Sequence, residues 1–444
     1  MNVKEYAKEF AINAHQGQIR KSEPEKPMIV HPIYVGNLLE KYNFDENVVA
    51  AGYLHDVVED TKYTKEDLKQ IFGEDITSLV MGATEPDKSL SWEERKQHTI
   101  NTIKTLDFRH KAIIIADKIS NLEDIRNTSE IKGEYNFNAF KRGYDKQKWY
   151  YTEIYNSLII NEDVNHPLLV RLKELINHVF NGITQHHSLE NEIFKDKNEE
   201  YKELIKIHYK KYEIYKLNSI LSNKTPYVIE FTGTPRTGKT TLINNLYDFF
   251  KKANFNIKIL EEFTTSKKYK QEIYPTLKDK TKELINKEIP KHILRQLNDI
   301  LDITPDIIIV DRSLFDRLIW VDRLFNKSGM KKEEYIKYQN TYIPLIKEKI
   351  NIVISTYTDS LTALKRDYSA NLSLEKRNFL NEKNIDEYNI SLLNMKELSK
   401  KEKINFELFD TTNKNQREIS FEVIDFILED MKKNLLKKVR KEFN

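Results

Sequence analysis

The stretch Ala50-Ala51-Gly52-Tyr53-Leu54-His55-Asp56-Val57-Val58-Glu59-Asp60-Thr61 collects four groups able to do chemistry: His55, Asp56, Glu59 and Asp60. Its apolar residues recur at helical spacing, which predicts the end of a buried helix over 46–60. On a helix Glu59 lies one turn beyond His55, and Asp60 one turn beyond Asp56, so all four project to one side. Three of them are carboxylates at a helix end that already carries negative dipole, a repulsion of a few tenths to ~1 kcal/mol per contact. A bound cation reverses the sign of that cost. The cluster therefore reads as a metal site, against the plainer alternative of a solvated acidic helix end.

Further chemistry-bearing residues precede and follow it. His31 stands before Pro32 at the expected start of a helix running to about Tyr42, beside a loop made basic by Arg20, Lys21 and Lys26. Asp117 falls within the apolar run 112–122, taken as helix because its surroundings are helical. A carboxylate buried there needs a partner, either a metal or a neighbouring Lys or Arg. Capping boxes at Thr64–Asp67 and Ser91–Glu94 predict two more helices, the second reaching about Leu106, and 166–182 reads as another.

His31, His55-Asp56 and Asp117, in that order on an all-helical frame, resemble the HD phosphohydrolase superfamily. The segments His15-Gln16-Gly17-Gln18-Ile19-Arg20-Lys21-Ser22, Val30-His31-Pro32 and Ala116-Asp117-Lys118-Ile119-Ser120-Asn121-Leu122 narrow the likeness to the RelA/SpoT hydrolase domain and its single-domain metazoan homologues, over roughly 1–180. The resemblance implies a manganese ion held by His31, His55, Asp56 and Asp117, with Glu59 and Asp60 handling the attacking water. It implies removal of the 3′-diphosphate of guanosine tetra- or pentaphosphate, or of a related nucleotide phosphate. Such a mixed imidazole–carboxylate set suits manganese, with zinc or iron as alternatives. Arg20 is expected to stack on the purine, Lys21 and Ser22 to grip the diphosphate and Asn121 to hold the ribose; otherwise 20–22 is a solvated loop.

The texture changes near Thr225. The β-rich run Tyr227-Val228-Ile229-Glu230-Phe231 leads into Thr232-Gly233-Thr234-Pro235-Arg236-Thr237-Gly238-Lys239-Thr240-Thr241-Leu242 and then a helical pattern. Every position of the Walker A pattern is filled, in strand–loop–helix context, in a chain with only 11 glycines. Such a loop turns backbone N–H groups onto phosphate at a helix N-terminus. The residues expected around ATP are Gly233, Arg236, Gly238, Lys239, Thr240 and Thr241, with Lys239 on the β/γ-phosphates and Thr240 on Mg²⁺. Further strands at 256–260, 306–310, 351–355 and 405–409, with helices between, predict a parallel α/β sheet. Asp311 reads as a Walker B-type carboxylate. Asp311-Arg312-Ser313 resembles the Glu-Arg-Ser or Asp-Arg motif of deoxynucleoside and thymidylate kinases, with Asp in place of Glu relative to the first. That likeness implies phosphoryl transfer to a small acceptor, with Glu261, beside Glu262, facing the acceptor hydroxyl. Arg366 and Arg377 resemble the arginines that clamp a transferring phosphoryl group.

A chain of 444 residues is too long for one ordinary core. The expected organisation is an all-α HD domain over 1–184, a charged helical connector over 185–224 and a P-loop domain over 225–444. With 32% charged and 39% hydrophobic residues and no membrane-length apolar run, the protein reads as soluble. No cysteine is present and the N-terminus has no apolar signal core, so the expected location is the cytoplasm. A net charge of +3 gives nucleic-acid binding no general support, although the basic residues of 200–222 leave a nucleic-acid or tRNA-end kinase as an alternative. Another is a nucleotide sensor, an HD module regulating the P-loop ATPase without turnover. Oligomeric state is not readable.

Overall fold

The structure, a computed structural model, describes residues 2–20, 25–85, 89–132, 142–182, 199–222, 224–267, 269–277, 282–327, 329–371 and 380–443. The chain divides into two compact units, one made of 1–222 together with 432–444, the other of 223–431.

The described elements of the first unit are helices, with one isolated antiparallel bridge between Ile19 and Pro27. Its elements are α1 (Val3–Ala14), α2 (Val30–Lys41), α3 (Glu46–Leu54), α4 (Val57–Asp60), α5 (Lys65–Ala83), α6 (Trp92–Ile103), α7 (Phe108–Lys132), α8 (Gly143–Leu158), α9 (Pro167–Asn181) and α10 (Glu199–Ile220). The capping boxes at Thr64 and Ser91 form, and a third closes on Asn2 and Glu5. The helix expected over 46–60 breaks after Leu54 and resumes at Val57. The His55 side chain supplies the reason: its Nδ1 lies 2.9 Å from the Gly52 carbonyl, competing with the helical ladder at that point.

Two glycines let α2 and α3 approach closely. A Cβ on Gly36 would sit 2.3 Å from the Tyr53 ring, and one on Gly52 would sit 2.5 Å from Leu39 Cδ1. That contact holds the helices bearing His31 and His55 side by side. Across them runs α7, whose 112–116 segment is fully buried or nearly so. It packs against α2, α3, α5, α9 and α10. The charged stretch expected as a connector thus supplies α10, which buries Ile207, Ile214, Leu217 and Ile220 within the first unit.

The second unit is an α/β domain. Its described strands are β1 (Tyr227–Gly233), β2 (Ile257–Leu260), β3 (Ile307–Asp311), β4 (Ile352–Tyr357) and β5 (Phe406–Asp410), in the order β2-β3-β1-β4-β5, all parallel. The helices are α11 (Lys239–Lys251), α12 (Lys282–Leu301), α13 (Leu314–Asn326), α14 (Lys332–Lys349), α15 (Ser360–Asn371), α16 (Glu382–Glu402) and α17 (Gln416–Phe443). The central strands are buried except for Asp311 and Tyr357 at the ends of β3 and β4, as near-continuous Val/Ile runs in a covered parallel sheet must be. Such a sheet presents the carboxyl ends of β1 and β3 at one edge, where the loops of α/β domains bind ligands.

Candidate metal centre and nucleotide-binding loop

In the first unit α2, the α3–α4 break and α7 each contribute to one cluster. His31, His55 and Asp117 place one ligand atom each within 4.8 Å of one another. His31 Nε2 lies 3.1 Å from Asp117 Oδ1 and 3.7 Å from Asp56 Oδ2. His55 Nε2 lies 3.2 Å from Asp56 Oδ1 and 4.0 Å from Asp117 Oδ1. Both histidines are 4% exposed.

The outer contacts orient both rings. His55 Nδ1 must donate to the Gly52 carbonyl, which turns Nε2 toward the cluster. His31 Nδ1 pairs with Ser120 Oγ at 2.9 Å. Burial, then the charge of Arg20, pushes the His31 imidazole below its ordinary pKa, so at neutral pH it carries one proton. With that proton on Nδ1, the two Nε2 atoms, 3.3 Å apart, face each other as acceptors beside two carboxylates. That arrangement is repulsive by itself and attractive around a divalent cation. The donor set of two nitrogens and two carboxylates fits one, with the outer hydrogen bonds that metal-binding histidines use.

Asp117 is held from its far side. Burial alone would raise its carboxyl, but Lys118, then His31, overrule it and keep the group well below the usual range. Lys118 Nζ is 2.7 Å from Asp117 Oδ2, and Asn121 Nδ2 donates to Oδ1 at 2.6 Å. Of the partners foreseen for Asp117, the neighbouring lysine is Lys118, and the carboxylate also stands beside the His31 and His55 rings. Asn121 Oδ1 also accepts from Arg20 at 3.3 Å, and the Arg20 guanidinium is 2.8 Å from Asp124. Arg20 and Asn121 are therefore joined to the metal cluster through Asp117. Glu59 is half-buried and Asp60 exposed on the single turn of α4, where Gln18 donates to the Asp60 carbonyl at 2.8 Å. Lys21 and Ser22 lie outside the described residues, as does Arg377.

In the second unit β1 delivers Gly233, whose φ is +140° and whose missing Cβ would stand 2.1 Å from the Thr356 carbonyl. Only glycine fits that approach. The loop continues through Arg236, at φ +66°, to Gly238, after which Lys239, Thr240 and Thr241 open α11 with Thr240 and Thr241 exposed. Lys239 pairs with Asp311 at the end of β3, and burial lowers the lysine's pKa. Arg236 pairs with Asp367 at 2.6 Å. Arg366 turns to the β5–α17 turn, donating to the Thr411 carbonyl at 2.6 Å and not to the loop.

Sequence reasoning missed the part played by Arg312. At φ +59° it bends back, donates to the Gly233 carbonyl at 3.0 Å, and lies 3.7 Å from Glu262 and 3.1 Å from Asp316. The carboxylate joined to the loop in this way is Glu262; its neighbour Glu261 is exposed. The motif Asp311-Arg312-Ser313 held the signal, but the turn that points the arginine inward is a tertiary property.

Comparison with known proteins agrees with this division. Residues 7–136 match the family described as HD domain, and 228–346 match the family described as AAA domain. The chain is similar to the guanosine-3′,5′-bis(diphosphate) 3′-pyrophosphohydrolase MESH1 of Drosophila melanogaster, 41% identical over 27% of this chain and 66% of that protein. It is also similar to the guanosine-3′,5′-bis(diphosphate) 3′-pyrophosphohydrolase of Haemophilus influenzae, 35% identical over 26% of this chain and 18% of that one. The chain thus spans less than two thirds of the length of these curated relatives. Among solved structures, a deoxyadenosine kinase from M. mycoides with bound dATP is 19% identical, covering 46% of this chain and 99% of that chain with a TM-score of 0.33. No described helix is long and apolar enough to cross a membrane.

Proposed function

We propose that this chain, an HD domain joined to a P-loop domain, is a bifunctional nucleotide enzyme whose first unit hydrolyses the 3′-diphosphate of guanosine tetra- or pentaphosphate or a closely related nucleotide. The observation that carries this reading is the convergence of His31, His55, Asp56 and Asp117, with their Nε2 atoms and carboxylates turned toward one another. The names of the relatives to which the chain is similar support it.

Those four residues would hold a divalent ion, manganese being the expected one, that acidifies water and neutralises phosphate charge. The chain's own work is orientation and proton transfer. Arg20, fixed by Asp124 and Asn121, meets the purine, and Asn121 meets the ribose. Glu59 or Asp60 accepts the proton of the attacking water. The new P–O bond forms to the phosphorus on the ribose 3′ oxygen, the old 3′ O–P bond breaks, and the 3′ oxygen leaves as a hydroxyl once protonated. Pyrophosphate and the nucleoside 5′-diphosphate, or 5′-triphosphate from the pentaphosphate, are the products.

For the second unit we propose binding of ATP with Mg²⁺ and phosphoryl transfer to a small nucleoside or nucleotide. Lys239 would meet the terminal phosphates and Thr240 with Asp311 the Mg²⁺. Glu262, linked through Arg312 to the loop, supports this reading better than the exposed Glu261 as the group facing the acceptor.

Pyrophosphate release from guanosine tetraphosphate, measured with and without Mn²⁺, tests the first half. Manganese-dependent release is expected, and Asp56→Ala is expected to lose bound metal and to cut the rate by more than about 100-fold. A variant that keeps both sinks the assignment.

A further inference from the structure

Arg20 and Lys26 form the base of the loop beside the metal cluster: Arg20 N donates to the Lys26 carbonyl at 3.0 Å, and Met28 N donates to the Gln18 carbonyl at 2.8 Å. That base is gripped from two helices the hydrolytic chemistry does not use. On α10, Lys216 Nζ reaches Asp124, the partner of Arg20, at 2.7 Å, and Glu213 takes Lys26 at 2.8 Å. On the last part of α17, Lys432 takes the other oxygen of Glu213 at 3.0 Å, and Arg440 donates twice to the Glu25 carbonyl, at 3.0 and 2.7 Å.

Burial makes the clamp consequential. The side chains of Lys26 and Glu213 are 8% and 6% exposed, while that of Lys432 is 30% exposed. Two cations flank one buried carboxylate, so removing either leaves its neighbours under-compensated in a poorly solvated place. Ion pairs of this kind hold position more than they add stability. The helix that supplies Lys432 and Arg440 starts in the other unit, where the Gln416 side chain lies against Gly238 of the phosphate loop.

We propose that Glu213, clamped between Lys26 and Lys432, is a positioning residue for the hydrolase: it fixes the base of the Arg20 loop, so the C-terminal end of α17 sets substrate affinity at the metal site. The proposal rests on the reading of Arg20 as a contact of the nucleotide. Glu213 touches neither the metal cluster nor the reacting phosphorus; it acts through Lys26 and the loop. Its loss is therefore felt in KM and not in kcat.

The test compares full-length wild type with Lys432→Met, which removes only the half-exposed limb of the clamp, and with Glu213→Gln, which removes both. KM and kcat for guanosine tetraphosphate with Mn²⁺ are measured, along with hydrogen exchange at the backbone amides of Arg20 and Met28. Lys432→Met is expected to raise KM about 5-fold or more, with kcat within about twofold and metal content unchanged. The Arg20 and Met28 amides should exchange faster, and Glu213→Gln, where it folds, should exceed it in both. Unchanged KM and unchanged exchange in Lys432→Met overturn the proposal, as does a fall in kcat at constant KM. If wild type releases no pyrophosphate, the hydrolase reading fails, and exchange alone decides the clamp: faster exchange upholds it, equal exchange ends it.

Discussion

Ser120 is not itself an expected metal ligand or substrate contact, yet its hydroxyl bears on how His31 presents itself. It is fully buried and lies 2.9 Å from His31 Nδ1. For Nε2 to offer its lone pair to a cation the proton must sit on Nδ1, where Ser120 Oγ can accept it. Ser120→Ala removes the anchor while leaving all four ligand residues. Outer contacts of this kind are worth about 10- to 100-fold in metal affinity. A Mn²⁺ titration followed by bound-metal analysis should show a loss in that range with the fold intact; affinity equal to wild type would mean that packing alone orients the ring. At this scale the sequence was readable where chemistry is carried by residue type and order: His31, His55, Asp56 and Asp117 do meet. It was less readable where orientation decides. Glu261 and Glu262 are identical in type and adjacent in sequence, and only the bend of Arg312 at φ +59° brings one of them into the loop's network.

Between residue and molecule, the junction of β1 with α13 carries its own pH dependence. Glu230 on β1 is fully buried, and its carboxyl accepts from the backbone N–H groups of Ser313, Phe315 and Asp316 at the start of α13, at 2.7 to 3.1 Å. Burial nevertheless pushes its pKa up to about 7 from an ordinary 4.5, against those hydrogen bonds. Between these values the folded unit holds a proton that the unfolded chain has released. Stability is then fully present below about 4.5 and falls as pH rises to about 7, by at most ~1.4 kcal/mol per pH unit, and flattens above. Chemical denaturation of the full chain at pH 5, 6, 7 and 8 should show that decline in the transition of the P-loop unit. In Glu230→Gln, which cannot titrate, the decline should be absent; a decline that survives the substitution must come from other groups. Elements themselves were mostly legible. The five strands fall within a residue or two of their expected limits, because buried parallel strands are bounded apolar runs. The break between α3 and α4 was not, because a side chain folding back on the Gly52 carbonyl leaves no trace in hydrophobic period.

Across the whole chain, the change of texture near Thr225 marked the passage from a helical to an α/β unit, since period 3.6 gives way to short β-branched runs. What composition could not reveal is that the charged stretch around 200–222 is structural. Its lysines read as a solvated or RNA-facing surface, whereas Lys210 and Lys216 are buried and Lys216 pairs with Asp124. Nor could it reveal that 432–444 belongs with the first unit. The described residues of each candidate site nevertheless fall within one unit: the metal cluster draws on residues between Gln18 and Asp124, the phosphate loop on residues between Glu230 and Thr412. Lys239→Ala removes the charge that would meet the β/γ-phosphates, so ATP turnover should fall by at least about 100-fold. Manganese-dependent pyrophosphate release, with every one of its groups elsewhere, should keep its kcat within about twofold, and Asp56→Ala should show the reverse pattern. Assaying both activities in both variants decides the matter. Two independent losses mean two enzymes in one chain. Loss of both activities in Lys239→Ala would mean that the hydrolase depends on an occupied phosphate loop, and α17, which contributes to both units, would then be the element to cut next.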